Sequence, residues 1–484
     1  MRLHLLSGSR LVGVPVSDGV ERLSPPPPVD PLADIGEAVV GALRYPLGGA
    51  TLEQLVTPSG RATIVVEPPL LPVPGAPEDP RRDALAAVID ELELLGVAPE
   101  RQTLLVAGGL ERRAGRKELE QLLRPDRARE FRGELRVHDC EAEDLVPVGD
   151  AAGIAAHIAP ALVETDLVIT VGAAESVIHG GPATLLGASS PGLLRAASSA
   201  TPSLLEPGSS QGWQHAVALE ALLARRVPLI GVSLVLDLPR PILPRGPLRA
   251  VHNALPASMR RSRLDRHVRP LRATGILAGT PSVAHAEALI RGVTLRGIRL
   301  AEPLEAIVVP LPWTDAHARR ERVNPITATA AALGIGLRLW RGAHPLREGG
   351  TVVLLHRFSR TIGHGPQSPY LPLFAALRDA RPGVRLRRIE AAASRDGRAV
   401  AAYREGRAPH PRLPFADWDA CQPALERAGR VIVAGCRDAG AARALGFVPS
   451  HSVSVALGMA RGLAGDDGRV GVLEAPPYAP LIVG

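Results

Sequence analysis

Residues 62–107 read ATIVVEPPLLPVPGAPEDPRRDALAAVIDELELLGVAPERQTLLVA. Two short apolar runs, Ala62 to Glu67 and Thr103 to Ala107, flank a proline-rich turn and a longer stretch from Arg81 to Gly96. The runs are too short for helices and apolar without alternation, as strands buried on both faces are. The stretch between them is amphipathic and of helical length. Strand, helix and strand in that order predict a βαβ unit, whose crossover makes the two strands parallel.

The same alternation extends outward. Leu167 to Val171 and Val227 to Leu238 continue it, and Glu305 to Pro310, Thr351 to His356, Arg430 to Ala434 and Val470 to Glu474 resume it. The expectation is an α/β protein of two doubly wound, mostly parallel-sheet domains with an interdomain cleft. Pro239 to Pro270 is rich in Pro and Arg and has no strand pattern. The chain is therefore expected to divide into residues 1–270 and 271–484, in keeping with roughly 150 residues per domain as a soft guide. Pro25 to Pro28 reads as a stiff spacer. No repeat of fixed period is present.

Composition narrows the function classes. Of 484 residues 46% are apolar and 22% charged, an ordinary soluble balance, while aromatics are only 3%, so the core must be Val, Leu, Ile and Ala. The net charge is +7. The basic residues are scattered, stacking aromatics are scarce and no nucleic-acid motif is present, so no nucleic-acid partner is expected. No apolar run of membrane-spanning length and no signal-peptide pattern occurs, and no membrane association is expected. Cys140, Cys421 and Cys436 have no CxxC spacing and are odd in number, which fits a reducing, cytoplasmic location.

Several segments, in order, resemble the nickel-dependent (nickel-pincer) lactate racemase family. They are Ala42 to Gly48 with Leu52 to Leu55, Val65 to Pro74, Leu105 to Arg112, Val137 to Asp139 with Val148-Gly149, Glu164 to Ile169, His179 to Pro182, and Asn324-Pro325 ahead of Glu348 to Val353. The resemblance runs over roughly residues 37–475 and implies the racemase fold and an isomerase acting on a small 2-hydroxy acid. It also implies a nickel pincer tethered through a lysine, a histidine on the metal, and two further histidines working on the substrate.

The matched positions of this chain depart from that pattern. Pro68 and Leu71 stand where the family turn has Asp and Arg. Glu111 replaces a histidine, although Arg112 matches. Ala183 occupies the lysine position, and Lys117, the only lysine in the sequence, lies in a charged helical stretch. Thr327 and Ala330 replace a Gln and a Lys, while Asn324 ahead of Pro325 reads as a helix N-cap. A covalent lysine-bound pincer requires a nucleophilic amine, so no lysine-tethered nickel pincer and no metal ligand set is expected; the cofactor stays unassigned.

Other residues are weighed as an alternative machinery. His179 follows a strand where doubly wound sheets place ligands; it reads as a base or metal ligand, helped by Glu175 and Ser176, with Gly180 and Gly181 letting an anion approach the backbone, or as a tight turn. Glu111 and Arg112 read as acid/base and anion clamp, or as a solvated pair. Arg357, or Arg360, in the loop between His356 and His364 reads as a carboxylate clamp facing the cleft. His138-Asp139 reads as a surface strand end, and Gln211 to His215 as a capped helix start. Gly435, Asp438 and Gly440 suggest a nucleotide loop without its G-x-G-x-x-G spacing. Three functions stay open: a divergent racemase or epimerase of a small 2-hydroxy acid; a catalytically silent relative binding a small anion or a partner in the cleft; and different acid/base chemistry by Glu111 and His179.

Overall fold

In the computed structural model the described residues are all but 1, 17–18, 69–78, 199–200, 239, 270, 313–323, 360–361, 363–364, 380–382 and 475–477. Leu71, Arg360 and His364 thus lie outside them, as does the side chain of Lys117.

The βαβ unit forms as its pattern requires. Ala62–Val66 and Gln102–Val106 pair in parallel, Ile64 opposite Leu104, and Arg81–Leu94 crosses between them with Leu85, Val88, Ile89 and Leu92 buried. Among the described residues the first large sheet has the order Ala273–Gly279, Leu229–Leu236, Leu167–Ala173, Ala62–Val66, Gln102–Val106, Glu134–Val137. Its strands are parallel except for the edge strand Ala273–Gly279. Strand order runs one way from Ala62–Val66 through Gln102–Val106 and the other way from Leu167–Ala173, so the topological switch point lies between Ala62–Val66 and Leu167–Ala173.

The second large sheet has the order Val448–Ser450, Ala428–Ala434, Leu346–Leu355, Leu304–Pro310, Val470–Leu473, Val20–Leu23, all parallel. Each sheet has apolar cores on both faces, as parallel strands need. The expected α/β class with two mostly parallel sheets is present.

The division at residue 270 is not where the sheets separate. Ala273–Gly279 is antiparallel to Leu229–Leu236, and Pro281–Arg296 packs on the same pair, so the first unit continues to about residue 296. At the other end Val20–Leu23 forms the edge of the second sheet, and the antiparallel hairpin Arg2–Ser7/Arg10–Pro15 buries Leu5 and Val14 against Val308 and Val353. The Pro/Arg-rich composition after Pro239 marks a surface excursion that contains the helices Leu248–Ala254 and Ala257–Arg266.

The units meet along a packed seam. Tyr403 donates its hydroxyl hydrogen to the Gly109 carbonyl (3.0 Å) and accepts from the Cys140 amide (3.2 Å). Buried His410 pairs with Glu141 at 2.8 Å, and Arg195 reaches Glu390 at 2.7 Å and Asp419 at 2.5 Å. Cys140, Cys421 and Cys436 are buried and unbridged. No helix among the described residues is long and apolar enough to cross a membrane.

Candidate functional site at the first switch point

Strand Ala62–Val66 ends at Glu67, and Leu167–Ala173 leads into the turn Ala174 to Gly181. The switch point brings these ends together. The amide of Gly180 donates to Glu67 Oε1 at 2.7 Å, and His179 Nδ1 lies 3.8 Å from the same oxygen. The carboxylate thus fixes the turn and faces an imidazole that is half exposed, at 50% of its side-chain surface.

The backbone of the turn permits this approach because both its glycines have positive φ, 82° at Gly180 and 52° at Gly181. His285, on Pro281–Arg296, closes the turn from behind. A Cβ on Gly180 would lie 2.6 Å from His285 Cε1, and one on Gly181 2.4 Å from His285 Cβ. His285 is buried, donates from Nε2 to the Ser176 carbonyl at 2.9 Å, and is held below the ordinary imidazole range by burial.

Two buried arginines flank the pair. Arg81 binds Asp79 through Nη2 (2.6 Å) and Nε (3.0 Å), donates to the Pro68 carbonyl at 2.8 Å, and lies 3.9 Å from Glu67. Burial works against its charge, but Asp79 and Glu67 outweigh that and hold it above its usual value. Arg296 donates to the carbonyls of Ala174 and Gly292 and sits 4.0 Å from Glu175. Burial raises the Glu175 carboxyl above the ordinary range against the pull of Arg296, His179 and Arg81. Because 21% of its side-chain surface stays open, solvent still reaches it.

His179, Gly180, Gly181, Glu175 and Ser176 therefore share one corner with Glu67, Arg81, His285 and Arg296. The last four were not singled out by the sequence reading. Glu67 carries a positional signal, the last residue of a strand beside a switch point. His285 and Arg296 carry none, since their helix reads as ordinary amphipathic sequence.

The remaining candidates lie elsewhere. Glu111 is exposed at the end of Gln102–Val106, one strand beyond Ala62–Val66, on the seam between units. Its charge acts there on buried Tyr370, whose hydroxyl donates to Asp417 at 2.6 Å. Arg112 is engaged by Glu118 and by the carbonyls of Arg113 and Gly406. Arg357 lines a cavity on the second sheet together with the N-terminal hairpin. His138 is not a surface residue: it is 5% exposed and donates to the Ser189 carbonyl at 2.9 Å. Asn324 caps Pro325–Thr329 by accepting the Thr327 amide at 2.9 Å, and Ser210 caps Gln211–Ala224, both as the sequence predicts.

The residues do not fit a lysine-tethered nickel pincer. The matched position, Ala183, is a buried methyl group in the first turn of a short helix, and His285 fills the space behind the preceding glycines. Among the described residues no group of three His, Cys, Asp or Glu side chains is arranged to hold a metal ion.

Comparisons with known proteins agree with the architecture. Residues 7–180 match the family model of the lactate racemase N-terminal domain. The lactate racemase apoprotein from Thermoanaerobacterium thermosaccharolyticum superposes with a TM-score of 0.62 at 15% identity, covering 99% of this chain and 100% of that one. A Thermotoga maritima protein superposes with a TM-score of 0.51 at 13% identity, over 94% and 99% of the two chains. No curated protein matches the sequence. The N-terminal part of the chain is thus similar to the lactate racemase N-terminal domain, and the whole of it takes the lactate racemase fold.

Proposed function

We propose that this chain is a racemase or epimerase of a small 2-hydroxy acid that works by proton transfer at the first switch point, without a lysine-tethered nickel pincer. The observation that carries the reading is the His179–Glu67 pair beside Glu175. Glu67 seats the imidazole of His179, which takes the α-proton; Glu175, kept inclined to hold its proton, supplies the one that returns. The carbon inverts when the two groups address opposite faces of the planar intermediate. This replaces the Glu111–His179 pairing with groups at one corner of one sheet.

The test is a racemisation and epimerisation panel on the purified chain, read by chiral chromatography. The expected result is turnover that falls by roughly 100-fold or more in His179→Ala and in Glu175→Gln. Activity unchanged in both variants would overturn the assignment, as would an intact mass and metal content revealing an attached nickel group.

A second reading, a silent relative that binds a small ligand, is favoured by one observation. Arg81 and Arg296 are engaged by Asp79 and by backbone carbonyls, so neither is offered to hold a substrate carboxylate for turnover at this corner, and any small anion would be held by other groups. Thermal stabilisation by hydroxy acids with no turnover of any of them would select it.

A further inference from the structure

The C-terminal ends of Leu346–Leu355 and Ala428–Ala434 open, with the N-terminal hairpin, onto a cavity of about 530 Å³. Its wall carries Arg10, Arg357 and Arg437, the imidazole of His451, and the polar side chains of Ser7 and Asn253. Among the described residues no Asp or Glu side chain lines it, and none of the three arginines has a carboxylate within 4.0 Å. Arg10 Nε is buried with no hydrogen-bond partner. Buried Nε atoms of Arg113, Arg240 and Arg412 are likewise without a hydrogen-bond partner, but of these only Arg10 stands with two further arginines around one cavity.

Like charges around one concavity repel, and a guanidinium nitrogen removed from water without a partner is unfavourable. An anion with more than one negative charge relieves both. The backbone adds to this: Gly435 turns the chain at φ 79° directly after the strand, and the twelve-residue helix Val453–Ala464 begins at the cavity rim behind its Ser452 cap. Strand ends and a helix N-terminus at the carboxyl edge of a parallel sheet are where phosphates sit. The loop Gly435 to Gly440, whose spacing is not that of a dinucleotide motif, finds its place here. A monocarboxylate would satisfy one guanidinium, whereas a tetrahedral dianion accepts from several in bidentate fashion. The cavity is larger than a bare ion and falls within the roughly 300–1,000 Å³ of small-molecule sites.

We propose that this cavity, formed by Arg10, Arg357, Arg437 and His451 between the N-terminal hairpin and the second sheet, binds a phosphate group. It is a second site, independent of the proton-transfer corner. Titration calorimetry on the whole chain at low salt against inorganic phosphate, ribose 5-phosphate, adenosine monophosphate and lactate tests it. At least one phosphate ligand binds the wild-type chain, and Arg437→Gln and Arg357→Gln each weaken it roughly ten-fold. Binding of inorganic phosphate identifies a free-ion site, and binding of the organic phosphates alone identifies a phosphomonoester site; both support the proposal. Arg437 is exposed, so its substitution leaves the fold intact and keeps the experiment decisive. Failure of the wild-type chain to bind any of the phosphates, equal affinity in both variants, or competition by lactate as strong as that of phosphate would overturn it.

Discussion

At the carboxyl edge of the first sheet the guanidinium of Arg81 is clasped by Asp79 and the Pro68 carbonyl, and that of Arg296 by the carbonyls of Ala174 and Gly292. At the same edge of the second sheet Arg10, Arg357 and Arg437 face a cavity lined by no acidic side chain among the described residues. The folds of the two edges are alike, yet in one the charges are neutralised inside the protein and in the other they await something outside it. In the first place an arginine is a structural part, and its removal strands a buried carboxylate. In the second its removal relieves repulsion, and only a ligand notices.

Acid provides the largest way to probe what both edges share. His138 follows the last strand of the first sheet and His356 follows Leu346–Leu355 in the second; burial lowers each from 6.5 to about 4. Between those values the unfolded chain binds protons that the folded chain refuses. Stability therefore rises with pH through that window and is lost as pH falls from 6.5 toward 4. The two sites together amount to on the order of 7 kcal/mol across the window, read from unfolding free energy measured against pH. His138→Gln and His356→Gln should each flatten that profile, and an unchanged slope in the double variant would show that neither imidazole is refusing a proton.

Arg81→Met breaks the comparison on the side of the first sheet. Asp79, with 8% of its side chain exposed, loses its partner, and denaturant unfolding should show a loss of about 3–5 kcal/mol. Adding Asp79→Leu should recover much of it; no recovery would mean that the carboxylate was not the cause. Smaller is the effect of Gly181→Ala, about 2–3 kcal/mol, because φ of 52° and a contact of 2.4 Å with His285 Cβ both oppose a methyl group. A melting temperature within error of the parent would show that His285 moves aside and that the turn is not rigid.

Much of the architecture was legible in the sequence for a specific reason. Strands buried on both faces are uniformly apolar, and Leu167–Ala173 and the second half of Leu346–Leu355, from Thr351 on, announce themselves that way. Edge strands do not: Glu134–Val137 carries Glu134 and Arg136, and Val20–Leu23 carries Glu21 and Arg22, so neither stood out from loop. The site was half legible. His179 and its glycines follow a recognisable strand, but Glu67, Arg81, His285 and Arg296 come from three other parts of the chain, and nothing local distinguishes a histidine that braces a turn from one that faces solvent. Arg357 was read as a cleft residue because the N-terminal hairpin that covers it is more than 300 residues away in sequence.

The strand that follows this hairpin, Val20–Leu23, also governs the order in which the molecule can be assembled. Val20–Leu23 pairs with Val470–Leu473, so it has no partner until that distant strand has been made. The first sheet, by contrast, is complete once Ala273–Gly279 has emerged. The nascent chain must therefore carry an unpaired strand past an already folded unit, joined to it through the stiff run Pro25 to Pro28.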